Sequence, residues 1–156
     1  MGPKRAWPQS SIRGATAIAP AGLRLARMRS QGVSATIWGV RTTVLIVDDH
    51  EPFRESASAL LGAEGFEVVG GVGEGAAALA AVERLRPDVV LLDVQLPDLD
   101  GFAVAERLAV MPYPPQVVLI SSRDASAYGP RVRAAAARGF LAKRELSGAA
   151  LAALVC

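Results

Sequence analysis

The sequence predicts an α/β protein built on a doubly wound, five-stranded parallel sheet, a (βα)5 arrangement. From residue 42 onward, short apolar runs alternate with helix-length segments, and this alternation is typical of parallel sheets with right-handed crossovers. Runs such as residues 89–92 are continuously apolar, as expected of strands buried on both faces. Several runs end in a carboxylate, hydroxyl or ammonium group, and such sheets bind ligands at the carboxyl ends of their strands.

The composition favours one domain with a hydrophobic core and limits the chemistry it can carry. The chain has 156 residues, of which 51% are hydrophobic. No apolar run approaches the roughly 20 residues that span a bilayer. The single cysteine, Cys156, excludes an intrachain disulfide and a thiolate metal site. His50 is the single histidine, so there is no histidine cluster.

The charge is divided unevenly along the chain. Residues 1–41 hold seven basic and no acidic residues, whereas residues 42–156 hold ten basic and fifteen acidic residues, a net charge of −5. We therefore predict a basic, disordered extension at 1–41, or a mis-assigned start, followed by a folded domain at 42–156. The extension superficially resembles an organellar transit peptide. A basic arm that contacts a nucleic acid or a membrane is the alternative.

The elements are predicted in order from residue 43. Strands are the short β-branched apolar runs, at Thr43–Val47 and at residues 66–69, 89–92, 117–120 and 139–142. Helices are the segments with apolar residues at helical spacing, at residues 51–61, 74–85, 102–110, 125–137 and 146–155. Pro52 suits a first helical turn, Gly70 and Gly71 close the second strand, and Gly129-Pro130 deforms the start of the fourth helix.

The predicted topology brings polar side chains from four strands to one edge of the sheet: Asp48, Asp49, Asp93, Ser121 and Lys143. Crowded carboxylates repel one another, which raises at least one pKa. A hard cation such as Mg²⁺ makes the arrangement tolerable and leaves one carboxylate free to attack phosphorus. A lysine ammonium and a serine hydroxyl can bind the transferred phosphoryl oxygens. These residue types together predict a phosphoryl-transfer site.

At this point the chain resembles the receiver domain of two-component response regulators, over residues 42–156. The matching motifs are Asp48-Asp49 after strand one, Asp93-x-x-x-Pro97-x-x-x-Gly101 after strand three, Ser121-Ser122 after strand four and Gly139-Phe140-Leu141-x-Lys143 in strand five. Each motif alone is weak, but four in the right order and at the right spacing are specific. The match is closest to receivers that precede helix-turn-helix output domains.

The resemblance implies a role for each of these residues. Asp93 would be the phosphoacceptor, and Asp48 and Asp49 would hold Mg²⁺ together with Asp93 and the main-chain carbonyl of Gln95. The remaining roles fall to the fourth and fifth strands: Ser121 would hydrogen-bond the phosphoryl group, Lys143 would pair with it, and Phe140 would be the aromatic residue that moves on switching.

The sequence departs from the family pattern beside these residues. Arg144 follows Lys143 where many receivers have proline, so the loop can differ in shape. Gln95 and Arg123 stand where receivers vary, and we expect their side chains to influence the lifetime of the phosphoryl group.

The resemblance also implies partners and a location. A histidine kinase or phosphotransfer protein would donate the phosphoryl group. The domain would act in the cytoplasm of a bacterium, and no membrane is expected among its partners. The domain would modify itself and is not an enzyme in the ordinary sense. A surface of helix four, strand five and helix five would switch and can form a homodimer. No DNA-binding domain fits before Cys156, so we expect either a stand-alone receiver or a piece of a longer regulator.

Two other functions stay open on the residues alone. A Mg²⁺-dependent phosphatase or phosphotransferase would act on a small substrate, although such enzymes often place D-x-D after strand one. A receiver-like interaction module would never take phosphate. Single residues have plainer interpretations as well: Asp48 and Asp49 can cap the helix near Glu51, and His50 is interpreted as a loop residue near the site. Asp98 and Asp100 lack EF-hand spacing and are interpreted as loop residues.

Overall fold

The computed structural model describes residues 40–156, and these form a five-stranded parallel sheet in the order β2-β1-β3-β4-β5. The strands are β1 Thr43–Val47, β2 Glu67–Val72, β3 Val89–Asp93, β4 Gln116–Ser121 and β5 Gly139–Ala142. The predicted fold class is therefore confirmed. The predicted basic extension, up to residue 39, lies outside the described residues.

Five helices connect and follow these strands. They are α1 Glu51–Ala63, α2 Gly75–Leu85, α3 Gly101–Ala109, α4 Pro130–Ala134 and α5 Gly148–Val155, with short 3₁₀ turns at Ala125–Ala127 and Lys143–Glu145. Among residues 40–156, none of these helices has the length and apolar character needed to cross a membrane.

The sheet separates two hydrophobic layers, because neighbouring residues of a buried strand point to opposite faces. Val44 and Ile46 of β1 pack with Leu61 of α1 and Leu151 of α5 on one face. On the other face, Leu45 and Val47 pack with residues of α2, α3 and α4, namely Ala78, Val82, Val104, Leu108 and Val132. Both faces of β1 are thereby packed in the core, which fixes the position of the residues that follow this strand.

Strand β2 runs further than predicted, through Gly70 and Gly71 to Val72. The two glycines were expected to end the strand, but they pair with Leu45 and Ile46 of β1. A Cβ atom on Gly70 would lie 3.3 Å from Leu45 Cδ1, and one on Gly71 would lie 3.3 Å from the Cδ of Arg54. The glycines therefore let the core and an α1 side chain approach the strand closely, which is a recurrent role of glycine in strands.

The fourth helix is far shorter than the predicted span of residues 125–137. Gly129 has φ 58°, a left-handed conformation that interrupts the predicted helix. Pro130 then begins a helix of only five residues. Ala135 has an extended backbone, with ψ 150°, and its side chain is buried in the core. The expectation that the helix continues through residues 135–137 is wrong, because packing outweighs the helix propensity of alanine.

The last helix begins at Gly148, two residues later than predicted. The Ser147 hydroxyl accepts a hydrogen bond from the Ala150 N–H at 3.0 Å and so caps the helix. The Glu64 carboxylate accepts from the Gly148 N–H. These two caps satisfy donors at the start of α5 and set its first residue.

Candidate functional site

Three carboxylates form an acidic cluster at the carboxyl edge of the sheet: Asp48, Asp49 and Asp93. Asp48 follows β1 directly and Asp93 ends β3, and these two strands are hydrogen-bonded neighbours. One oxygen from each of the three residues lies within 4.8 Å of the others. Asp48 is 0% and Asp93 5% exposed, whereas Asp49 is exposed. Hard oxygen ligands at this spacing can hold a divalent cation after small side-chain movements.

Backbone donors orient the two buried carboxylates. Asp48 Oδ1 accepts a hydrogen bond from the His50 N–H at 2.8 Å, and Asp93 Oδ1 accepts one from the Gln95 N–H at 3.0 Å. The Arg54 guanidinium donates to the main-chain carbonyl of Asp48 at 2.7 Å. In each aspartate, Oδ2 is left as the oxygen available to other partners.

Lys143 contacts both of these oxygens. Its Nζ lies 2.5 Å from Asp48 Oδ2 and 3.4 Å from Asp93 Oδ2, and 4.6 Å from the centre of the Phe53 ring. The contact with Asp48 is an ion pair without a well-directed hydrogen bond. Burial would lower the pKa of Lys143, but its close contacts with the negative charges of Asp48 and Asp93 outweigh burial and raise it. The lysine therefore stays charged and compensates the buried carboxylates.

Asp93 is the carboxylate whose protonation the environment favours. Its pKa is raised to about 6, chiefly by burial and also by the charge of Asp48, against the opposing effects of the Gln95 N–H and the Lys143 ammonium. This is the behaviour expected when carboxylates crowd together away from water. The ionised form is therefore costly unless additional positive charge is present.

This raised pKa predicts how stability depends on pH. At pH values between the unfolded pKa of Asp93, 3.8, and its folded pKa of about 6, the folded state binds this proton and the unfolded state does not. Without divalent cations, the free energy of unfolding should therefore fall as pH rises through this window, by an amount on the order of 2–3 kcal/mol. Urea unfolding in EDTA at pH 4 to 8 measures this, and in Asp93→Asn this part of the slope should vanish. An identical slope in both proteins would contradict the assignment.

Ser121 lies beside the acidic cluster on the next strand. It ends β4, is 1% exposed, and follows Ile120, which pairs with Asp93. Its Oγ accepts a hydrogen bond from the Arg123 N–H at 3.0 Å and lies 2.7 Å from the hydroxyl of Tyr128. The neighbouring Ser122 is exposed.

Phe140 lies in β5 and reaches the same region through an aromatic contact. Its ring centre is 6.0 Å from that of Tyr128, which in turn lies 5.9 Å from the ring centre of Phe102 in an edge-on arrangement. Tyr128 was not predicted as a site residue, because it falls inside the predicted fourth helix. An aromatic hydroxyl seven residues after Ser121 was the available signal, but only the folded chain shows their contact.

The remaining residues of interest lie around the cluster. Gln95 and Arg123 are exposed, and so is His50, which is the N-cap position of α1. The side chain of His50 forms no capping hydrogen bond, and neither Asp48 nor Asp49 occupies that position. Arg144 pairs with Asp124 at 2.5 Å, with both side chains about 60% exposed.

Asp98 and Asp100 are more than loop residues. Asp98 accepts hydrogen bonds from the Gly75 and Ala76 N–H groups at 2.7 and 2.9 Å, and these bonds lower its pKa. It therefore caps α2 from a loop 22 residues further along the chain. Asp100 is the N-cap of α3 and accepts from the Phe102 N–H at 2.8 Å. The two aspartates connect the loop after β3 to two helices.

Known proteins are similar in sequence to this chain. The transcriptional activator EvgA of Escherichia coli, described as DNA-binding, is 33% identical over 101 residues, which is 65% of this chain and 50% of EvgA. This chain thus spans about half the length of the curated relatives that it matches.

Solved structures and a family match agree with this relationship. The signal receiver domain of NarL from Mycobacterium tuberculosis is similar with a TM-score of 0.63 and 36% identity, covering 68% of this chain and 86% of that one. A CheY-like receiver domain from Methylobacillus flagellatus has a TM-score of 0.63 and 26% identity, covering 72% and 93%. Residues 44–155 match the response regulator receiver domain. The chain therefore belongs to the response regulator receiver domain family of two-component signalling.

Proposed function

We propose that this domain accepts a phosphoryl group on Asp93 from a phosphohistidine of a partner kinase or phosphotransfer protein, in a Mg²⁺-dependent reaction. The observation that carries the proposal is the meeting of three carboxylates with the Lys143 ammonium at one sheet edge. Ser121 ends the adjoining strand. These groups together suit phosphoryl transfer, whose catalysis is mostly positioning and charge stabilisation.

The donor set fits Mg²⁺. Carboxylate oxygens are its preferred protein ligands, and it accepts few of them beside water and phosphate oxygens. Asp48, Asp49 and Asp93 would hold the ion together with the main-chain carbonyl of Gln95. When bound, it would neutralise charge between Asp93 and the phosphoryl oxygens.

Asp93 Oδ2 is the proposed nucleophile, because Oδ1 already accepts the Gln95 N–H. A new O–P bond forms to this oxygen while the P–N bond to the donor imidazole breaks, and the imidazole keeps the electron pair and takes up a proton. The Lys143 ammonium, 3.4 Å from Oδ2, would pair with a phosphoryl oxygen. The Ser121 hydroxyl would donate to another.

The switch would follow from the new charge. A phosphoryl group adds about −1.5 to −2 charges, and moving a two-state surface from 1:99 to 99:1 takes about 5.5 kcal/mol. A network of charge-assisted hydrogen bonds can supply this, whereas an exposed ion pair such as Arg144–Asp124 cannot. We propose that α4, β5 and α5 form the switched surface and a homodimer contact, although α4 contributes only five residues.

The output is proposed from the relatives. EvgA is described as a DNA-binding transcriptional activator and is about twice the length of the matched region. We propose that this domain, residues 42–156, controls transcription in the bacterial cytoplasm through a DNA-binding domain or partner outside these residues. Residues 1–41 remain a proposed extension of this domain.

Intact mass after incubation with acetyl phosphate tests the proposed reaction. We expect one added phosphoryl group in the parent protein with Mg²⁺, and none in EDTA or in Asp93→Asn. Asp98→Asn is the matched control, because this loop carboxylate caps α2 and asparagine also caps helices; it should still take up the group.

If Asp93→Asn takes up as much phosphoryl group as the parent protein, the acceptor is a residue other than Asp93. No adduct in the parent, together with no binding of Mg²⁺ or beryllofluoride, would overturn the proposal and leave a receiver-shaped interaction module. Continuous release of phosphate from a small phosphoester would instead indicate a phosphatase.

A further inference from the structure

Tyr128 connects the phosphoryl-transfer site to the proposed moving residue Phe140. Its hydroxyl lies 2.7 Å from Ser121 Oγ, and its ring lies between Phe102 and Phe140. One side chain therefore contacts both the residue proposed to bind the phosphoryl group and the residue proposed to move. Residue 140 is a phenylalanine and has no hydroxyl of its own to offer Ser121.

The hydrogen-bonding capacity of Ser121 makes this contact consequential. A serine hydroxyl has one proton to donate and two lone pairs, and the Arg123 N–H occupies one lone pair. Ser121 is 1% exposed, so its proton must find an acceptor within the protein. Among residues 40–156, the Tyr128 hydroxyl lies at hydrogen-bond distance, and either of the two hydroxyls can be the donor. With Ser121 as the donor in the resting state, its proton is the same one that it would give to a phosphoryl oxygen.

The backbone at Tyr128 forms a turn and is not part of a regular helix. It lies in the turn between the 3₁₀ segment Ala125–Ala127 and Gly129, whose φ is 58°. Its N–H donates to the Ala125 carbonyl at 3.0 Å, and its carbonyl accepts from Arg131 at 3.3 Å. The break at Gly129-Pro130, which shortens α4, thus takes Tyr128 out of regular helix. Movement of its side chain need not unwind a helix.

We propose that Tyr128 is a positioning residue that holds Ser121 in the resting state and transmits its movement to Phe140. When Ser121 turns its proton toward a phosphoryl group on Asp93, its hydrogen bond to Tyr128 is given up. The Tyr128 ring then changes its packing between Phe102 and Phe140. This inference rests on the proposed phosphorylation of Asp93.

Tyr128→Phe isolates the contribution of the hydroxyl, because it keeps the ring that packs on Phe102 and Phe140. Loss of one hydrogen bond of ordinary net strength shifts a two-state equilibrium by about fivefold. Since this bond favours the resting state, beryllofluoride with Mg²⁺ should bind Tyr128→Phe about fivefold more tightly than the parent. In a Ser121→Ala background the same substitution should have no effect on affinity.

The chain offers a matched control and a direct probe. Tyr113 is the other of its two tyrosines, is 62% exposed, and packs under the Arg86 guanidinium; Tyr113→Phe should leave the affinity unchanged. Full-length protein labelled with 3-fluorotyrosine gives two ¹⁹F resonances, which Tyr113→Phe assigns. On addition of Mg²⁺ and beryllofluoride, the Tyr128 resonance should shift and the Tyr113 resonance should not.

The bound beryllofluoride has its own ¹⁹F signal, which separates two kinds of failure. If it binds while the Tyr128 resonance stays in place and Tyr128→Phe binds within twofold of the parent, the role of Tyr128 is overturned and the phosphorylation proposal stands. If beryllofluoride does not bind and acetyl phosphate adds no mass, both proposals are overturned.

Discussion

Replacing Gly101 by alanine should lower the free energy of unfolding by about 3 kcal/mol, at the upper end of the usual cost of overpacking. A Cβ atom at this position would lie 2.4 Å from the Asp93 carbonyl oxygen, 2.7 Å from Val94 Cα and 2.8 Å from the Val94 carbonyl oxygen. All three are backbone atoms, so no side chain can rotate to make room. The Gly101 N–H also donates to the Val94 carbonyl at 2.9 Å, and this bond would be strained.

The effect should reach the functional site, because the backbone that must move carries Asp93. Urea unfolding measures the stability change, and the rate of phosphoryl uptake from acetyl phosphate measures the change at Asp93. Gly62→Ala is the matched control: this glycine lies in α1, and outside its chain neighbours and the adjoining backbone of its own helix no heavy atom lies within 4 Å of its added Cβ. Alanine there should stabilise the protein by about 0.5–1 kcal/mol. An unfolding midpoint of Gly101→Ala equal to the parent's would contradict the argument.

Replacing Lys143 by methionine should cost about 3 kcal/mol at pH 7 in the absence of divalent cations. The substitution keeps an unbranched side chain that can pack on Phe53 but removes the charge that pairs with Asp48 and Asp93. Asp48 is completely buried, and removing one partner of a buried ion pair leaves an uncompensated charge, which typically costs 3–5 kcal/mol.

Arg144→Met is the matched control for this experiment. Its ion pair with Asp124 has the same 2.5 Å separation, but both side chains are about 60% exposed, and such pairs are worth 1 kcal/mol or less. Urea unfolding at several pH values compares the two variants. The deficit of Lys143→Met should shrink as pH falls, because protonation of a carboxylate removes the uncompensated charge. Equal losses in the two variants would show that burial of the pair is unimportant.

Much of the fold could be read from the sequence, because it is encoded by local patterns. Continuous apolar runs identified all five strands, and four of the five helices were placed to within a few residues. Strand ends follow from the same runs, so the alternation alone indicated that Asp48, Asp93, Ser121 and Lys143 would share one edge. The family resemblance added roles to these positions, which remain proposals.

The tertiary structure decided the contacts between segments that are distant along the chain. Asp98 caps α2 rather than its own helix, Lys143 lies closer to Asp48 than to Asp93, and Ser121 meets Tyr128 across a turn. The course of β2 through Gly70 and the end of α4 before Ala135 were likewise set by the side chains packed against them. Local propensities of about 1 kcal/mol or less per residue are overridden when burial contributes more, and burial exists only once the chain has folded.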